Sequence, residues 1–305
     1  MIVVGGEALV DLVIDPDGAV VAKLGGGPFN TARAIGRLGS DVSFLGALSR
    51  DRFGSLLHSE LVADGVDDAL VQFTGLPTTL ASAELDGHGA ANYHFYLAET
   101  AAPNLHVLPL PANVSILHIG TLGLVLEPMA SSLEAIVHGI GQEVLVLLDP
   151  NCRPRITPDR VDYLARLDRM LRRADVIKVS TDDLDFIAPN DHAAGVQMML
   201  GSGAAVVLHT DGGRGVHVHT AGGEVEVPVP SVVVADTIGA GDAFGGAFAA
   251  WWQQAGLGRG DLADGDAVRA AVAASVEVAA LSCTRVGAQP PRRAELGDRW
   301  SPARR

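Results

Sequence analysis

Apolar residues along the chain alternate between short continuous runs and longer segments of helical spacing. The short runs have the length and β-branched composition of buried strands, and they cover Ile2–Ile14, Val42–Leu48, Ser115–Gly120, Glu143–Asp149, Val176–Ser180, Ala204–Thr210 and Gly215–His219. Helical spacing occurs between several of them, over Phe29–Leu38, Glu127–Ile140, Pro158–Arg173 and His192–Leu200. Continuous apolar runs such as EVLVLL are typical of parallel strands covered on both faces. The pattern therefore predicts an α/β fold with a doubly wound, mostly parallel sheet and helices on both faces.

Two regions interrupt this alternation. Ala19–Leu24 has the pattern of a short strand, and Leu70–Tyr96 has the pattern of antiparallel strands. Strands inserted in this way, at about residues 15–24 and 70–98, predict a small β-sheet lid over one edge of the main sheet. No interdomain linker separates these parts, so residues 1–305 are predicted to form a single domain.

The charge balance excludes several classes of protein. The 305 residues include 22 Lys and Arg against 36 Asp and Glu, a formal net charge of −14. An acidic chain without a long basic stripe argues against a nucleic-acid or anionic-membrane partner. Neither lysine, Lys23 or Lys178, is followed by Ser or Thr, which excludes a Walker A phosphate loop. The apolar stretch Val114–Leu126 is too short to span a bilayer, and the chain starts directly as a strand, so we expect a cytoplasmic protein.

The segment with the clearest chemical content is SVVVADTIGAGDAFGGAFAAWW, residues 231–252. The β-branched run Val232–Val234 predicts a strand that ends at Asp236, followed by a Gly-rich turn and an apolar helix. The free N–H groups and the dipole of a helix N-terminus attract anions. Asp242 would lie in the first helical turn, beside that anion site. A carboxylate in this position can take a proton from an attacking hydroxyl while backbone amides stabilise a transferred phosphoryl group.

Two motifs resemble the signatures of the PfkB, or ribokinase-like, carbohydrate kinases. DTIGAGDAF, Asp236–Phe244, is similar to the C-terminal signature, and GGGPFNTARAIGRLG, Gly25–Gly39, resembles the N-terminal one. Their order and separation agree with the family, and the resemblance covers nearly the whole chain, including the inserted lid strands. The resemblance implies a ribokinase-like fold and an ATP-dependent transfer of the γ-phosphoryl group to a sugar hydroxyl with Mg²⁺.

The resemblance also implies roles for individual residues on the sugar side. Asp242 matches the catalytic base, and the anion hole for the γ-phosphate matches Gly239, Ala240 and Gly241. Asp11, at the end of the first predicted strand, matches the carboxylate that holds sugar hydroxyls. The sugar-contacting turn and the helix after it match Gly25, Gly26 and Asn30. Judged from the residues alone, the same glycines could form an ordinary tight turn, and Asn30 could be a polar residue at a helix start.

Two further segments resemble the parts of the family that bind the nucleotide. VVLHTDGGRG, Val206–Gly215, resembles the family segment that lines the triphosphate or ribose, through Thr210, Gly212 and Gly215, although this spacing equally suits a plain hairpin turn. KVSTDDL aligns with the family's Asn-x-x-Glu motif, which organises Mg²⁺-bound water, and here those positions are Ser180 and Asp183. No residue is assigned as a direct Mg²⁺ ligand, because the ion would be held through ATP and waters, with Asp183 as the candidate side chain. A monovalent cation such as K⁺ is a further expectation, near Asp236.

The resemblance narrows the acceptor to those of fructokinases and 2-keto-3-deoxygluconate kinases. Pro28 resembles the first group, and Phe29-Asn30 resembles the second. Arg153 could bind a substrate carboxylate or steady the ATP phosphates. The keto-acid kinases use a lid arginine to grip the acid, but no arginine lies between Arg52 and Arg153, so one carboxylate partner is missing here. A ketohexose such as fructose is therefore predicted, with 2-keto-3-deoxygluconate and a ribokinase-type or nucleoside acceptor as the alternatives.

A non-catalytic ligand-binding protein on the same fold is the alternative from a different functional class. Such a relative would be expected to lose the base or the glycines around it, but Asp242 and its Gly-rich turn are intact. Exposed lid strands need covering, so a homodimer is expected. The predicted partners are therefore a small sugar and a second copy of the chain, with no nucleic acid and no membrane.

Overall fold

The computed structural model describes residues 1–85, 91–157 and 159–302, and in them a nine-stranded sheet lies between helices, beside a separate four-stranded sheet. The strands are β1 Ile2–Gly5, β2 Leu9–Ile14, β3 Val20–Gly25, β4 Val42–Ser49, β5 Val71–Thr74, β6 Leu80–Leu85, β7 Ala91–Tyr96, β8 Ile116–Gly120, β9 Leu145–Asp149, β10 Val176–Ser180, β11 Val206–Thr210, β12 Val216–Thr220 and β13 Gly223–Val227. The α-helices are α1 Gly27–Arg37, α2 Arg52–Ala63, α3 Met129–Gly139, α4 Arg160–Leu171, α5 Thr181–Ile187, α6 His192–Gly201, α7 Ala240–Gln254, α8 Gly265–Cys283 and α9 Arg293–Leu296.

The large sheet has the order β13-β12-β11-β10-β9-β8-β1-β4-β5. Every pair from β11 to β5 is parallel, and β12 and β13 are added antiparallel. One face packs against α1, α2, α7 and α8, and the other against α3, α4, α5 and α6, so apolar side chains are buried on both faces. The predicted doubly wound, mostly parallel fold is confirmed.

The first predicted strand, Ile2–Ile14, is wrong as one element, because the chain changes sheets within it. β1 ends at Gly5, Gly6 has a φ of 147°, and β2 then joins the small sheet. A φ in this region is accessible to glycine at little cost, which permits the sharp change of direction. Asp11 therefore lies inside β2 of the small sheet, rather than at the end of the first strand of the main sheet.

The small sheet has the order β3-β2-β6-β7 and corresponds to the predicted lid, with different limits. Its first segment starts at Leu9 instead of about residue 15, since β2 pairs with both β3 and β6. Its second segment starts at Leu80 instead of about residue 70. Val71–Thr74 forms β5, which pairs with β4 at the edge of the large sheet.

The predicted strand at Val232–Val234 is also wrong. This segment has no regular secondary structure, and Val233 and Val234 are 89% and 59% exposed. Its backbone is anchored just beyond, where the N–H groups of Ala235 and Asp236 donate to the carbonyl of Cys283. β-Branched composition favours a strand only where a neighbouring strand can pair with it, and here the chain passes over the end of α8 instead.

The predicted apolar helix after the Gly-rich turn is confirmed as α7. Its residues from Ala243 to Trp252 are buried, including both adjacent tryptophans, which pack in the core as expected. Small residues let it approach α1 closely: a Cβ on Gly246 would lie 2.9 Å from the carbonyl oxygen of Thr31. None of the described helices is both long and apolar enough to cross a membrane.

Candidate active site

The candidate site lies where the carboxyl ends of the central parallel strands meet the N-termini of α1 and α7. Gly27, in the first turn of α1, marks its centre. A Cβ added there would lie 2.6 Å from Thr121 Oγ1, 3.3 Å from Asp242 Oδ1 and 3.4 Å from Asn151 Nδ2. Thr121 follows β8 and Asn151 follows β9, so four separate segments meet at this glycine. Ligands of open α/β sheets commonly bind at this edge of the sheet.

The Gly-rich turn forms the N-terminus of α7, as predicted. Gly239 is the N-cap residue, with a left-handed φ of 76°, and Ala240 and Gly241 begin the helix. A Cβ on Gly239 would lie only 2.6 Å from the Cβ of Ala288, so glycine is needed for space as well as for conformation. The N–H of Ala240 donates to the Thr237 carbonyl over 3.2 Å, whereas the N–H groups of Gly239 and Gly241 bond to no carbonyl among the described residues and are available to an anion.

Asp242 is half-buried and is held by α1. Asn30 Nδ2 donates to Asp242 Oδ2 over 2.9 Å, and the Thr31 hydroxyl donates to the Asp242 carbonyl over 3.4 Å. Burial raises the pKa of Asp242 above its ordinary value, against the opposing effects of Asn30, Lys178 and Arg153. A carboxylate with a raised pKa accepts protons more readily, which suits a general base.

The other predicted sugar-side residues gather beside Asp242. A Cβ on Gly25 would lie 2.6 Å from Asp11 Oδ2, and Gly26, with a φ of 108°, is the N-cap of α1. Burial raises the pKa of Asp11 to about 6, opposed by the charge of Arg153. Arg153 is exposed, and its Nη1 donates to the carbonyls of Asn151 and Cys152. Its positive charge lowers the pKa of both Asp11 and Asp242.

Asn30, predicted to contact the sugar, is bonded to Asp242. It is 6% exposed, and its amide nitrogen donates to Asp242. The amide oxygen, Oδ1, is buried and has no hydrogen-bond partner within the described ranges. The direct contact of Asn30 is therefore with the predicted base.

The predicted nucleotide-side residues lie at the ends of β10 and β11. Ser180 and Thr210 are paired across the two strands, and the Thr210 hydroxyl donates to the Val179 carbonyl. Gly212 and Gly215 follow in the turn before β12, with φ angles of 54° and 150°. This turn is a hairpin, which is one of the two alternatives that the spacing left open, and the nucleotide contact stays a prediction.

Asp183 and Asp236 use their carboxylates to join neighbouring segments. Asp183 Oδ1 accepts from the N–H of Cys152, and its Oδ2 accepts from both the N–H and the hydroxyl of Ser180. Asp236 accepts from the N–H groups of Ile238 and Gly287, which ties the Gly-rich segment to the chain after α8. In the part of the chain that the structure describes, no three His, Cys, Asp or Glu side chains are grouped as a metal site.

The buried ion pair of Lys178 and Asp149 was not predicted from the sequence. Lys178 Nζ lies 2.9 Å from Asp149 Oδ2, and a Cβ on Gly241 would lie 2.9 Å from the same Nζ. Burial alone would lower the pKa of Lys178, but attraction to Asp149 and Asp183 raises it, so the ammonium is charged behind the turn of α7. In the sequence, the sign of a buried charge was a lysine among the apolar residues of the strand Val176–Ser180.

Thr121, Asn151 and Glu7 were also missed. Thr121 and Asn151 have left-handed φ angles of 54° and 39°, and the Asn151 amide donates to the Thr121 hydroxyl over 3.2 Å. Left-handed backbone at a β-branched residue is uncommon and concentrates at functional sites. Glu7 is buried under the turn that carries Gly27. A charged residue between two apolar strand segments was its only signal in the sequence.

Comparisons with known proteins agree with this geometry. A family model described as pfkB family carbohydrate kinase matches residues 1–295. A fructokinase of Rhizobium leguminosarum bv. trifolii is 35% identical over 254 residues, which cover 80% of this chain and 77% of the relative. A second fructokinase, from Klebsiella pneumoniae, is 34% identical over 78% of this chain and 80% of its own length.

Two solved structures extend the likeness to the whole fold. The crystal structure of fructokinase with bound ATP from Xylella fastidiosa has a TM-score of 0.88 and 30% identity, over 94% of this chain and 93% of that one. The fructokinase of Vibrio cholerae O395 in its fructose, ADP and calcium ion bound form has a TM-score of 0.87 and 28% identity, over 98% of both chains. The chain belongs to the pfkB family of carbohydrate kinases.

Proposed function

We propose that the protein is an ATP-dependent kinase whose acceptor is a ketohexose, with fructose as the preferred substrate. The observation that carries this proposal is the half-buried Asp242 carboxyl, fixed by Asn30 at the N-terminus of α7 and adjacent to Gly27. This arrangement places a proton acceptor next to an anion site, as phosphoryl transfer to a hydroxyl requires. The fructokinases among the relatives and solved structures support the choice of sugar.

The reaction centres on Asp242. Asn30 fixes Oδ2, and Oδ1, the oxygen beside Gly27, takes the proton of the sugar hydroxyl as the hydroxyl oxygen bonds to the γ-phosphorus. The bond from the γ-phosphorus to the β–γ bridging oxygen breaks, and ADP leaves with that electron pair. The N–H groups of Gly239, Ala240 and Gly241 stabilise the charge on the transferred phosphoryl group.

Lys178 strengthens the same anion site from behind. Its ammonium lies against Gly241, so a full positive charge is added to the partial charge of the helix N-terminus. Asp149 holds the ammonium in place and is itself buried. Because the pair is buried, the field of its ammonium end is screened less by water than that of an exposed ion pair would be.

The sugar is held by Asp11 and by the turn of Gly25 and Gly26. The Asp11 carboxylate accepts hydrogen bonds from sugar hydroxyls, while the glycines let the sugar approach the backbone. Arg153, whose positive charge acts on Asp11, binds either the sugar or the ATP phosphates. A neutral ketohexose needs no dedicated cation, in contrast to a keto acid, whose carboxylate would have to be desolvated.

The nucleotide extends from α7 toward the hairpin of β11 and β12. Thr210, Gly212 and Gly215 line its phosphates or ribose, with Ser180 alongside. The exposed side chains of Val234 and Val286 lie on two segments joined by the Asp236–Gly287 hydrogen bond, and they offer an apolar surface to the base. The bound ATP of the Xylella fructokinase supports this nucleotide.

Mg²⁺ fits this site as an ion carried mainly by the nucleotide phosphates. It typically takes one or two carboxylates and several waters, and here Asp149 Oδ1 is a buried carboxylate oxygen without a partner in the described residues. Asp149 and Asp183 would hold metal-bound water. When bound, the ion neutralises phosphate charge. We also propose a K⁺ ion near Asp236, and the potassium ion bound form of a Vibrio fructokinase double mutant supports the choice of this ion.

We further propose a cytoplasmic homodimer. The edge strands of the small sheet, β3 and β7, carry exposed apolar side chains, with Val20 56%, Val21 46% and Tyr96 56% exposed. Covering such edges with a second copy would remove unpaired strand groups from water. The free thiols of Cys152 and Cys283 suit a reducing compartment.

The experiment that tests this function is ADP release measured over a panel of acceptors with ATP and Mg²⁺. The panel includes fructose, other neutral sugars, 2-keto-3-deoxygluconate, ribose and a nucleoside, with the Asp242→Asn variant as the background control. We expect the highest kcat/KM for fructose. A clear preference for 2-keto-3-deoxygluconate would overturn the ketohexose assignment, and no acceptor-dependent release from any sugar would overturn the kinase itself.

A further inference from the structure

Glu7 has an unusual environment for a glutamate. It lies where the chain passes from β1 of the large sheet to β2 of the small sheet, and it is 1% exposed. Its Oε1 accepts from the N–H of Gly27 over 3.2 Å, and its Oε2 is buried with no hydrogen-bond partner in the described chain. No Lys, Arg or His nitrogen of residues 1–85, 91–157 and 159–302 lies within ion-pair distance of this carboxyl.

The Glu7 and Asp242 carboxyl groups flank the same glycine. The N–H of Gly27 donates to Glu7, and a Cβ on Gly27 would lie 3.3 Å from Asp242 Oδ1. The backbone of Glu7 also supports the preceding residue, because a Cβ on Gly26 would lie 2.7 Å from the Glu7 carbonyl oxygen. Glu7 therefore sits directly beneath the turn that presents the acceptor to Asp242.

The charges around Glu7 disfavour its ionised form. Burial raises the pKa of Glu7 to about 8, and repulsion from Asp242 on α7 adds to this. The backbone N–H groups of Glu7 itself and of Gly27, and the more distant charge of Arg153 after β9, act in the opposite direction. A buried carboxylate stabilised only by backbone N–H groups, with no counter-ion within ion-pair distance, is costly. A neutral carboxyl keeps the bond from Gly27 and places no negative charge beside Asp242.

We propose that Glu7 is a positioning residue that works as a neutral carboxylic acid, holding the Gly26–Gly27 turn against Asp242 while keeping a second negative charge away from it. This inference rests on the proposed function, since it takes Asp242 as the base. Its structural part, the neutral state of Glu7, requires no substrate. It can therefore be tested separately from the activity.

The first test compares the unfolding temperature of wild type and Glu7→Gln from pH 5 to pH 9. The folded protein keeps the Glu7 proton up to about pH 8, whereas an unfolded chain loses it near the ordinary value of 4.5. Between these values the native state holds one more proton, so the contribution of Glu7 to stability falls as the pH rises. Glutamine has no proton to lose, so the unfolding temperature of Glu7→Gln should rise relative to wild type across this window.

The exposed Glu143→Gln is the matched control and should follow wild type at every pH. A temperature difference for Glu7→Gln that is flat from pH 5 to pH 9 would overturn the proposal. So would a Glu7→Gln protein that fails to fold, because a neutral side chain of the same shape should be accepted.

The second test measures kcat/KM for fructose against pH. Glu7→Gln keeps the bond to Gly27, so below pH 7 it should stay within about threefold of wild type, whereas Glu7→Ala should fall by about tenfold or more. The alkaline loss of activity near pH 8 should be present in wild type and absent in Glu7→Gln. Equal damage in both variants would show that the charge is required and would contradict the proposal. If the stability test succeeds while Asp242→Asn keeps full turnover, the proposed function fails and the neutral Glu7 stands.

Discussion

The two sides of the cleft are built in different ways. On the acceptor side, buried or half-buried side chains bond to other segments of the chain: the Asn30 amide donates to the Asp242 carboxyl, and the Gly27 N–H donates to the Glu7 carboxyl. On the nucleotide side, the β11–β12 turn is exposed from Gly212 to Arg214, and Arg214 bonds to Asp211 within that turn. Among the described residues, its one side-chain bond to another element is from Thr181, at the start of α5, to Asp211.

This difference indicates that the acceptor side positions the base before the reaction, whereas the nucleotide side becomes ordered when the nucleotide binds. A base must be held close to its proton before the reaction, and fixed geometry of this kind contributes strongly to rate. Backbone turns with open φ angles provide N–H groups and room instead, and a bound nucleotide can order them. Substitutions on the acceptor side should therefore be costly, and those in the hairpin should be mild.

The largest effect is expected from Asp242→Asn, which keeps the shape of the side chain and removes its basicity. Turnover should fall by about 10²–10⁴-fold, the usual contribution of a general base, while ATP affinity changes little. Steady-state kinetics with fructose and calorimetric titration with ATP measure the two quantities. Asp298→Asn, at an exposed position, is the control. Near-normal turnover in Asp242→Asn would remove it as the base.

Breaking the buried ion pair should come next. Lys178→Met leaves Asp149 without its partner and should lower the free energy of unfolding by about 3–5 kcal/mol. Adding Asp149→Asn should restore most of this loss, because the remaining charge is removed. Lys23→Met, at the chain's other and exposed lysine, should change the free energy by less than about 0.5 kcal/mol. A double variant no more stable than Lys178→Met would contradict the pairing.

Asp11→Ala tests whether the acceptor side binds the sugar. Loss of a carboxylate that accepts from buried hydroxyls costs about 1–3 kcal/mol, so the KM for fructose should rise by roughly 5–150-fold. The KM for ATP should stay close to wild type. If ATP affinity fell and fructose affinity held, the two sides of the cleft would be assigned in reverse.

The smallest effect is expected in the hairpin. Gly212 has a φ of 54°, so alanine there would carry roughly 1–2 kcal/mol of left-handed backbone strain, although no atom lies within 4 Å of the added Cβ. Gly212→Ala should raise the KM for ATP by no more than about tenfold and leave the KM for fructose unchanged. Gly213→Ala is the matched control, since its Cβ also meets open space and its φ is not left-handed. A larger effect on fructose than on ATP would contradict this placement.

The sequence predicted those features whose signal is local. β10 was predicted with its observed limits, and the Gly-rich turn before α7 was identified because its residues are contiguous. The strand predicted at Val232–Val234 failed because the run has no neighbouring strand, which composition does not reveal. The strand predicted from Ile2 to Ile14 failed because Gly6 redirects the chain into another sheet.

The parts of the site that depend on tertiary contacts were not predictable. Asn30 and Asp242 are 212 positions apart, and nothing local to either residue shows that they bond. The same holds for Lys178 and Asp149, and for Glu7 beneath Gly27. In each case the informative sign was a charged or polar residue in an apolar segment, which marks a buried group without identifying its partner.

The acceptor side is already formed in the free protein, whereas we expect the nucleotide side to become ordered when nucleotide binds. Amide hydrogen exchange in the free and nucleotide-bound protein measures this difference directly. With a non-hydrolysable ATP analogue and Mg²⁺, we expect protection to increase in residues 211–215 and 231–238. The amides of β1 and the first turns of α1 should be protected equally in the free and bound protein. Strong protection gained at α1 and none in the hairpin would contradict the account.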